Sequence, residues 1–280
     1  MTTVRTTSAR SFTAGTIALA AIVLVLAGCS TGTDTAEASG GASAADATPS
    51  DLVEGGTLTV GTEGTYRPFT FHENGSGDLT GYDVEVVTAV AEELGVEVRF
   101  EETQWDAIFA GLEAGRFDVV ANQVSITPER EESYAFSSPY TVSTGVVVVP
   151  ADDSSIRSFE DLEGRTTAQS LTSNWHTLAE ESGARIEAVE GWAQSVALVE
   201  QGRVDATIND KLTFLDYATT NDASGLKVAA ETDEESLSAF AFRKDDGALA
   251  AAFDEALAAL AEDGTLAEIS VKYFGEDVSR

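Results

Sequence analysis

The stretch YDVEVVTAVAEELGVEVRFEETQWDAIFAGLEAGRFDVVA, residues 82–121, decides the fold class of this chain. Apolar residues recur at helical spacing through residues 82–94, and a glycine follows as a stop signal. Residues 96–100 alternate as a strand does, residues 105–114 predict a short amphipathic helix, and residues 117–121 predict a buried strand. Strands that alternate with helices predict βαβ units and a mostly parallel sheet.

The alternation continues on both sides of this stretch. Residues 58–61 predict a first strand that ends in a glycine turn, and residues 166–208 repeat the order of strand and helix. Between them, GVVVVP at 145–150 is too apolar for a loop and predicts a strand that carries the chain into a second lobe. We expect the return near residues 236–242, and two helices broken at Gly264 finish the pattern.

Two α/β lobes joined by two crossings make a hinge with a cleft between them. The sequence therefore predicts an α/β protein in which each lobe holds a mostly parallel five-stranded sheet flanked by helices. Residues 56–143 and 237–280 form lobe 1, and residues 144–236 form lobe 2. Ligands of open α/β sheets bind beyond the carboxyl ends of the strands, which here face the cleft.

The first 55 residues predict export and a tether rather than a folded domain. Two arginines precede a short apolar run at 17–27, which indicates the h-region of a signal peptide at residues 1–28. Cys29 is the only cysteine of the chain, so it cannot form an intramolecular disulfide. Residues 29–55 are mostly Ser, Thr, Gly, Ala, Asp and Glu, a composition typical of a flexible linker.

The composition argues against several classes of function. A formal net charge of -32 repels phosphate backbones, so we expect no nucleic-acid partner. His72 and His176 are the only histidines, belong to different predicted lobes, and lack the clustered spacing of metal ligands. The sequence has no glycine-rich phosphate loop and no Ser-His-Asp arrangement. We therefore expect no metal, no cofactor and no nucleotide-dependent activity.

Four segments occur in a recognisable order along the folded part of the chain. They are GTEGTYRPF at 61–69, GYDVE at 81–85, NQVSITPER at 122–130 with YAFSSPY at 134–140, and DGTL at 263–266 with YFG at 273–275. Together they resemble the polar amino acid substrate-binding proteins of bacterial ABC importers, solute-binding protein family 3. The resemblance implies the two-lobed type II fold of periplasmic binding proteins, with a two-strand hinge.

A second resemblance concerns the N-terminal region. LAGC at 26–29 is similar to a bacterial lipobox, which implies diacylglycerol on the thiol of Cys29. Several acyl chains on one protein give firm membrane anchoring, whereas a single chain gives only marginal binding. We therefore expect an extracytoplasmic protein that is anchored to the cell membrane through its N-terminal lipid.

The two charges of an α-amino acid predict two charged contacts. An arginine suits the carboxylate because its planar fork donates two parallel hydrogen bonds. Arg130 lies just past a predicted strand at the start of a helix, and the resemblance implies that it binds the ligand carboxylate. Asp210 follows a strand of lobe 2, and the resemblance implies that it binds the ammonium. A ligand held by both lobes would close the cleft.

The resemblance also implies the other contacts of the site. Tyr66 and Trp105 match the aromatic pair that encloses the ligand side chain, and packing in the core is an equal alternative for Trp105. Glu63 stands where some basic-amino-acid binders carry an aspartate, or it caps the following loop. The remaining expected contacts are Asn122, Gln123 and Ser125 in lobe 1, and Ser170, Ser173 and Asn174 in lobe 2.

These features predict a monomeric binding protein that delivers a free amino acid to ABC permease subunits with a cytoplasmic ATPase. The segments around Glu63, Trp105 and Asn122 look most like the cystine-binding branch, with glutamine, glutamate and sulfur-containing amino acids left open. One alternative is an enzyme similar to cyclohexadienyl dehydratases, with Glu63 as general acid. A sensor ectodomain is another. The lipobox and tether argue against a metabolic enzyme. A sensor ectodomain usually continues into a transmembrane helix, and no such helix follows in the sequence up to Arg280, which argues against a sensor.

Overall fold

The structure of the protein, a computed structural model, describes residues 52–279. The predicted signal peptide, Cys29 and most of the predicted tether lie outside the described residues. Val53, near the end of the predicted tether, is buried in the core, and Leu52 packs against that core. The folded part therefore begins a few residues before the predicted boundary at residue 56. Within residues 52–279, no helix is both long enough and apolar enough to cross a membrane.

Twelve strands and eight α-helices make up the described part of the chain. The strands are β1 (Thr57–Thr62), β2 (Thr65–Tyr66), β3 (Thr70–His72), β4 (Leu79–Thr80), β5 (Glu97–Glu102), β6 (Val119–Ser125), β7 (Tyr134–Phe136), β8 (Thr141–Pro150), β9 (Thr166–Gln169), β10 (Arg185–Ala188), β11 (Thr207–Asp210) and β12 (Leu226–Arg243). The helices are α1 (Tyr82–Leu94), α2 (Trp105–Glu113), α3 (Pro128–Ser133), α4 (Asn174–Glu181), α5 (Trp192–Glu200), α6 (Lys211–Thr220), α7 (Gly247–Glu262) and α8 (Thr265–Phe274).

Each lobe has its own set of five strands. In lobe 1, β1 pairs in parallel with β5 and β6, while the returning strand β12 runs antiparallel to β6 and β7. In lobe 2, β9 and β10 are parallel, and β11 and β12 both run antiparallel to β8. A parallel bridge between Thr167 and Ala206 connects β9 to the segment that leads into β11. The predicted α/β class is confirmed, but the main sheet is mixed, because β8 and β12 run antiparallel to their neighbours, and β9 and β10 form a separate two-stranded sheet.

The two long strands β8 and β12 run from one lobe into the other within one seven-stranded sheet, which also holds β1, β5, β6, β7 and β11. Strands β2, β3 and β4 form a small sheet of their own. Their register shifts between Glu231 and Glu235, next to the lobe boundaries that the sequence predicts at 144 and 236. Gly145 lies at this crossing. A Cβ on Gly145 would lie only 2.5 Å from the ring of Trp175, so this close approach requires glycine.

Apolar clusters cover both faces of the lobe 1 sheet. The larger one packs β1 and β6 against α1, α7 and α8 around Tyr82, Phe240 and Phe253. On the opposite face, Phe117 packs with residues of α2. A Cβ on Gly61 would lie 2.4 Å from the ring of Phe117. Strand β1 continues through Gly61 to Thr62, so the glycine turn predicted at residue 61 is wrong. Inside the strand this glycine makes room for the ring of Phe117.

Candidate functional site

A cavity of about 530 Å³ lies between the two lobes. Its lobe 1 wall comes from the segments that follow β1 and β5, together with β6. Its lobe 2 wall comes from the end of β9, the first turns of α4 and α5, and Asn209. The cavity therefore lies beyond the carboxyl ends of the parallel strands, where open α/β sheets bind ligands.

The cavity brings together most of the residues that the sequence predicts as ligand contacts. Three of the eleven do not line it: Ser125, Arg130 and Asp210. The eight that line it are Glu63, Tyr66, Trp105, Asn122, Gln123, Ser170, Ser173 and Asn174. Aromatic rings and polar groups from both lobes thus surround one space, which suits a small polar ligand.

Glu63 is held against Asn122 by two hydrogen bonds. The Asn122 amide donates to Glu63 Oε2 at 2.6 Å, and the Glu63 backbone N–H donates to Asn122 Oδ1 at 2.9 Å. Burial raises the pKa of Glu63 to about 7, although the hydrogen bond from Asn122 opposes the shift. The side chain of Glu63 is thus a fixed acid on the cavity wall, suited to a cationic or hydrogen-donating group of a ligand.

Arg130 is a buried cation without an anionic partner. Its guanidinium donates to the carbonyl of Ser125 at 2.9 Å and to that of Thr172 at 3.3 Å. None of the ion pairs found within residues 52–279 includes Arg130. Burial lowers its pKa to about 10. A buried charge is costly unless it is paired, so Arg130 is suited to bind a ligand carboxylate.

Trp105 separates the Arg130 guanidinium from the main cavity. The guanidinium carbon lies 5.3 Å from the Trp105 ring centre and 5.4 Å from that of Phe109. Trp105 lines the cavity, whereas Arg130 lines a neighbouring groove of about 720 Å³ between α3 and α4. Ser173 and Asn174 line both spaces, so the groove at Arg130 and the main cavity adjoin each other there.

Asp210 is deeply buried and already has protein partners. Its Oδ1 accepts hydrogen bonds from Ser143 Oγ at 2.7 Å and from the backbone N–H of Leu212 at 2.8 Å, which caps α6. Burial raises the pKa of Asp210 to about 6. Its neighbour Asn209 lines the cavity and accepts a hydrogen bond from the Tyr66 hydroxyl at 2.8 Å.

The two lobes contact each other around the cavity. Besides the Tyr66–Asn209 hydrogen bond, the Thr172 hydroxyl donates to Asp106 Oδ1 at 2.8 Å. The Arg130–Thr172 contact and an ion pair between Arg67 and Asp216 at 3.3 Å also join the lobes. Direct bonds between opposite walls mean that the cleft is closed.

Sequence reasoning missed three buried polar residues of this region. Gln169 and Trp192 line the cavity, and neither Gln169 Nε2 nor Trp192 Nε1 has a hydrogen-bond partner among the described residues. Asp83 is fully buried and accepts a hydrogen bond from the backbone N–H of Gln123, a non-glycine residue with φ of 50°. Buried donors without partners cost about 1–3 kcal/mol each. These three residues stand out only because they are buried, and no local sequence pattern reveals that burial.

Asp210→Asn is expected to weaken ligand binding at least tenfold while the melting temperature of the ligand-free protein stays equal or rises. Asparagine caps helices as well as aspartate does and keeps an oxygen that can accept from Ser143 and Leu212, while the negative charge and the second acceptor oxygen are lost. Calorimetric titration and thermal unfolding measure the two effects. Asp210→Ala is the matched comparison, because it also removes the cap. If Asp210→Asn binds as the wild type does, the charge of Asp210 has no role in binding.

The fold and the cleft together define a class: an α/β binding protein of two lobes that encloses a small ligand between them. Residues 58–276 match the family model of the bacterial extracellular solute-binding proteins, family 3. The chain therefore belongs to this family.

Two curated relatives share 54% identity with the chain. One is a probable amino-acid ABC transporter-binding protein of Haemophilus influenzae, aligned over 224 residues that cover 80% of this chain and 87% of the relative. The other is the L-cystine-binding protein TcyA of Bacillus subtilis, aligned over 225 residues that cover 80% and 84%. Both relatives are binding proteins by name.

Two solved structures are similar to this chain. The L-cystine solute receptor of Neisseria gonorrhoeae, in its unliganded open conformation, is 49% identical and covers 82% of this chain and 97% of its own, with a TM-score of 0.55. An ancestral arginine-binding protein bound to arginine is only 35% identical and covers 79% and 99%, yet its TM-score is 0.73. The ligand-bound structure thus superposes better than the unliganded open one, although its sequence is less similar.

Proposed function

We propose that the protein captures a free polar amino acid, with cystine as the first candidate, and delivers it to an ABC importer by closing its cleft. One observation carries the proposal: Arg130 is a buried guanidinium that forms no ion pair with any residue from 52 to 279, and it lines a groove next to the cavity between the lobes. In this proposal Arg130 binds the ligand carboxylate and Asp210 binds the ammonium. The names of the cystine-binding relatives support cystine.

The eight predicted residues on the cavity wall, from Glu63 to Asn174, contact the rest of the ligand in this proposal. Tyr66 and Trp105 provide apolar surface for its side chain, while Asn122, Gln123, Ser170 and Ser173 supply polar contacts. Ser125 acts through its carbonyl, which accepts a hydrogen bond from Arg130 and fixes the guanidinium.

The cellular setting is part of the same proposal. A signal peptide at residues 1–28 directs export, lipid on Cys29 anchors the protein outside the cytoplasm, and the Ser- and Gly-rich tether lets the lobes reach a permease. We infer lobe 1 at 56–143 and 237–280 and lobe 2 at 144–236, and a monomer as the active form. A cytoplasmic ATPase that belongs to the importer would supply the energy.

The enzyme alternative has one observation in its favour. The pKa of Glu63 is raised to about 7, which gives a proton donor in the cavity near neutral pH. The carboxyl group, however, is fixed by its hydrogen bond from Asn122. Incubation of the protein with prephenate or arogenate tests this alternative directly, and formation of an aromatic product would support it over simple binding.

A thermal-shift screen of the twenty amino acids plus cystine is expected to single out a small set of ligands, with cystine among them. A ligand that binds only the folded protein raises the melting temperature by mass action, about 2.7 kcal/mol of stability at a hundredfold excess over its Kd. The screen omits reductant so that cystine stays oxidised. No shift with any amino acid would contradict the proposed function.

A further inference from the structure

Two consecutive residues of β6, Asn122 and Gln123, line the cavity. In a regular strand, neighbouring side chains point to opposite faces of the sheet, so consecutive residues do not normally share one wall. Strand β6 is irregular at this place, because its ladder with β12 shifts register and residues 121–123 lie opposite Phe240 alone. Bulges of this kind re-aim the residues beside a binding site.

The backbone of Gln123 departs from the strand conformation. Its φ of 50° lies in the left-handed region, which a residue with a Cβ adopts only at a cost. Asn74 is the other such residue within 52–279, and it lies in an exposed turn. Gln123, in contrast, is 7% exposed and lies inside a strand. A strained conformation in a buried strand persists only when a neighbouring group holds it.

Asp83, the second residue of α1, is the group that holds it. The carboxyl group of Asp83 accepts a hydrogen bond from the backbone N–H of Gln123. Asp83 is fixed in turn, because its own backbone N–H donates to the carbonyl of Phe69 at 3.0 Å. Gly81 permits this approach, since a Cβ there would lie 2.2 Å from the same carbonyl oxygen. The start of α1 thus places one acceptor at a defined point under β6.

The stability of the fold does not explain a carboxyl group at this position. Asp83 is fully buried, and none of the ion pairs found within residues 52–279 includes it. Burial of a carboxyl group without a cationic partner costs free energy. The contact with Gln123 gives the group another role, which is to fix one backbone conformation at the cavity wall.

We propose that Asp83 is a positioning residue for ligand binding. It holds Gln123 in the left-handed conformation, and this turns both Asn122 and Gln123 toward the ligand. Asp83 itself does not line the cavity, so it acts only through β6. The proposal rests on the proposed function, in which Asn122 and Gln123 supply polar contacts to the amino acid.

Calorimetric titration with cystine, without reductant, compares Asp83→Ala with Asp83→Asn. Alanine removes the acceptor, so we expect binding about tenfold weaker or more. Asparagine keeps an oxygen that can accept from Gln123, and its affinity is expected within about threefold of the wild type. Asp118→Ala is the matched control and should bind as the wild type does. Asp118 also accepts from a backbone N–H, that of Thr59 at 2.9 Å, but it does not line the cavity.

Gln123→Gly separates positioning from a role in folding alone. Glycine adopts a positive φ without strain, so it does not need Asp83 to hold it. In this background Asp83→Ala is expected to weaken cystine binding less than about threefold, although the loss of the Gln123 side chain itself lowers the affinity. Equal weakening by Asp83→Ala in both backgrounds would overturn the proposal, and so would equal weakening by Asp83→Ala and Asp83→Asn.

Amide hydrogen exchange of the ligand-free wild type, followed by NMR, tests the contact without any variant. The backbone N–H of Gln123 is expected to exchange roughly a hundredfold more slowly than that of Asn74 in its exposed turn. Equally fast exchange would overturn the positioning role even if Asp83→Ala does not fold. If the wild type binds no amino acid, the proposed function has failed, whereas slow exchange at Gln123 would still show that the contact exists.

Discussion

Replacing Arg130 by methionine is expected to abolish measurable amino-acid binding. Loss of one partner of a buried, hydrogen-bonded ion pair costs about 3–5 kcal/mol, which is roughly a hundredfold to several thousandfold in affinity. Methionine replaces the guanidinium beside Trp105 and Phe109 by an apolar group of similar length that cannot donate to a carboxylate. Calorimetric titration with cystine, and with the best ligand from the thermal-shift screen, measures the loss.

The stability of the ligand-free variant separates binding from folding. The buried guanidinium of Arg130 has no ion pair, so its removal takes away a desolvated charge and two hydrogen bonds to carbonyl groups. These effects oppose each other, and we expect the unfolding free energy to change by about 1 kcal/mol or less. Arg157→Met, at an exposed position, is the matched control and should bind as the wild type does. Wild-type affinity in Arg130→Met would refute the assignment.

Arg130→Lys distinguishes charge from geometry. Lysine keeps the positive charge but lacks the planar fork that donates two parallel hydrogen bonds to a carboxylate. If the ligand carboxylate is bound by the fork, this variant should bind far more weakly than the wild type, although more strongly than Arg130→Met. The order of the three affinities then identifies what the ligand contacts.

The sequence predicts those elements whose apolar pattern is local. The periodicity of residues 82–121 gives α1, β5 and α2 nearly to their bounds, because each buries one regular face. α6 was not predicted, since among its ten residues only Leu212 and Thr213 are buried. The first half of β12, mostly charged or polar, was also missed. It is a strand because β8 lies beside it, and such pairing is a tertiary effect.

Local sequence patterns also fail to predict part of the candidate site. Motif resemblance identifies residues on the cavity wall, but it does not reveal which residues are buried without partners. The contact between Asp83 and Gln123 joins positions 40 apart, and the one between Tyr66 and Asn209 joins positions 143 apart. Sequence reasoning placed Asp83 only inside a motif. Its burial depends on how α1 packs against β6, which no local pattern specifies.

The unfolding free energy of the ligand-free protein is expected to fall as pH rises from 5 to 7. Burial raises the pKa of Glu63 and Asp83 to about 7 and that of Asp210 to about 6. A carboxyl group whose pKa is raised on folding holds its proton more tightly in the folded state. Its contribution to stability is therefore complete below the unfolded pKa, near 4, and is lost as pH rises through the folded pKa.

Asp83→Asn isolates the largest share of this pH dependence. Between the unfolded and folded pKa values, one such group contributes a slope of up to about 1.4 kcal/mol per pH unit, and the asparagine variant loses it. The amide oxygen of asparagine can still accept from the Gln123 backbone N–H, so the positive φ of Gln123 keeps its support. Urea unfolding at pH 5, 6, 7 and 8 gives the slopes for both proteins.

The overall negative charge requires a control. A net charge of -32 also makes the folded protein less stable as pH rises, because carboxylates that ionise repel one another. Asp152→Asn removes one exposed carboxylate and should leave the slope nearly unchanged. If Asp83→Asn and Asp152→Asn have the same slope as the wild type, Asp83 does not contribute to the pH dependence. A flatter slope in Asp83→Asn alone means that the buried carboxyl group under the cleft carries a proton in the ligand-free protein.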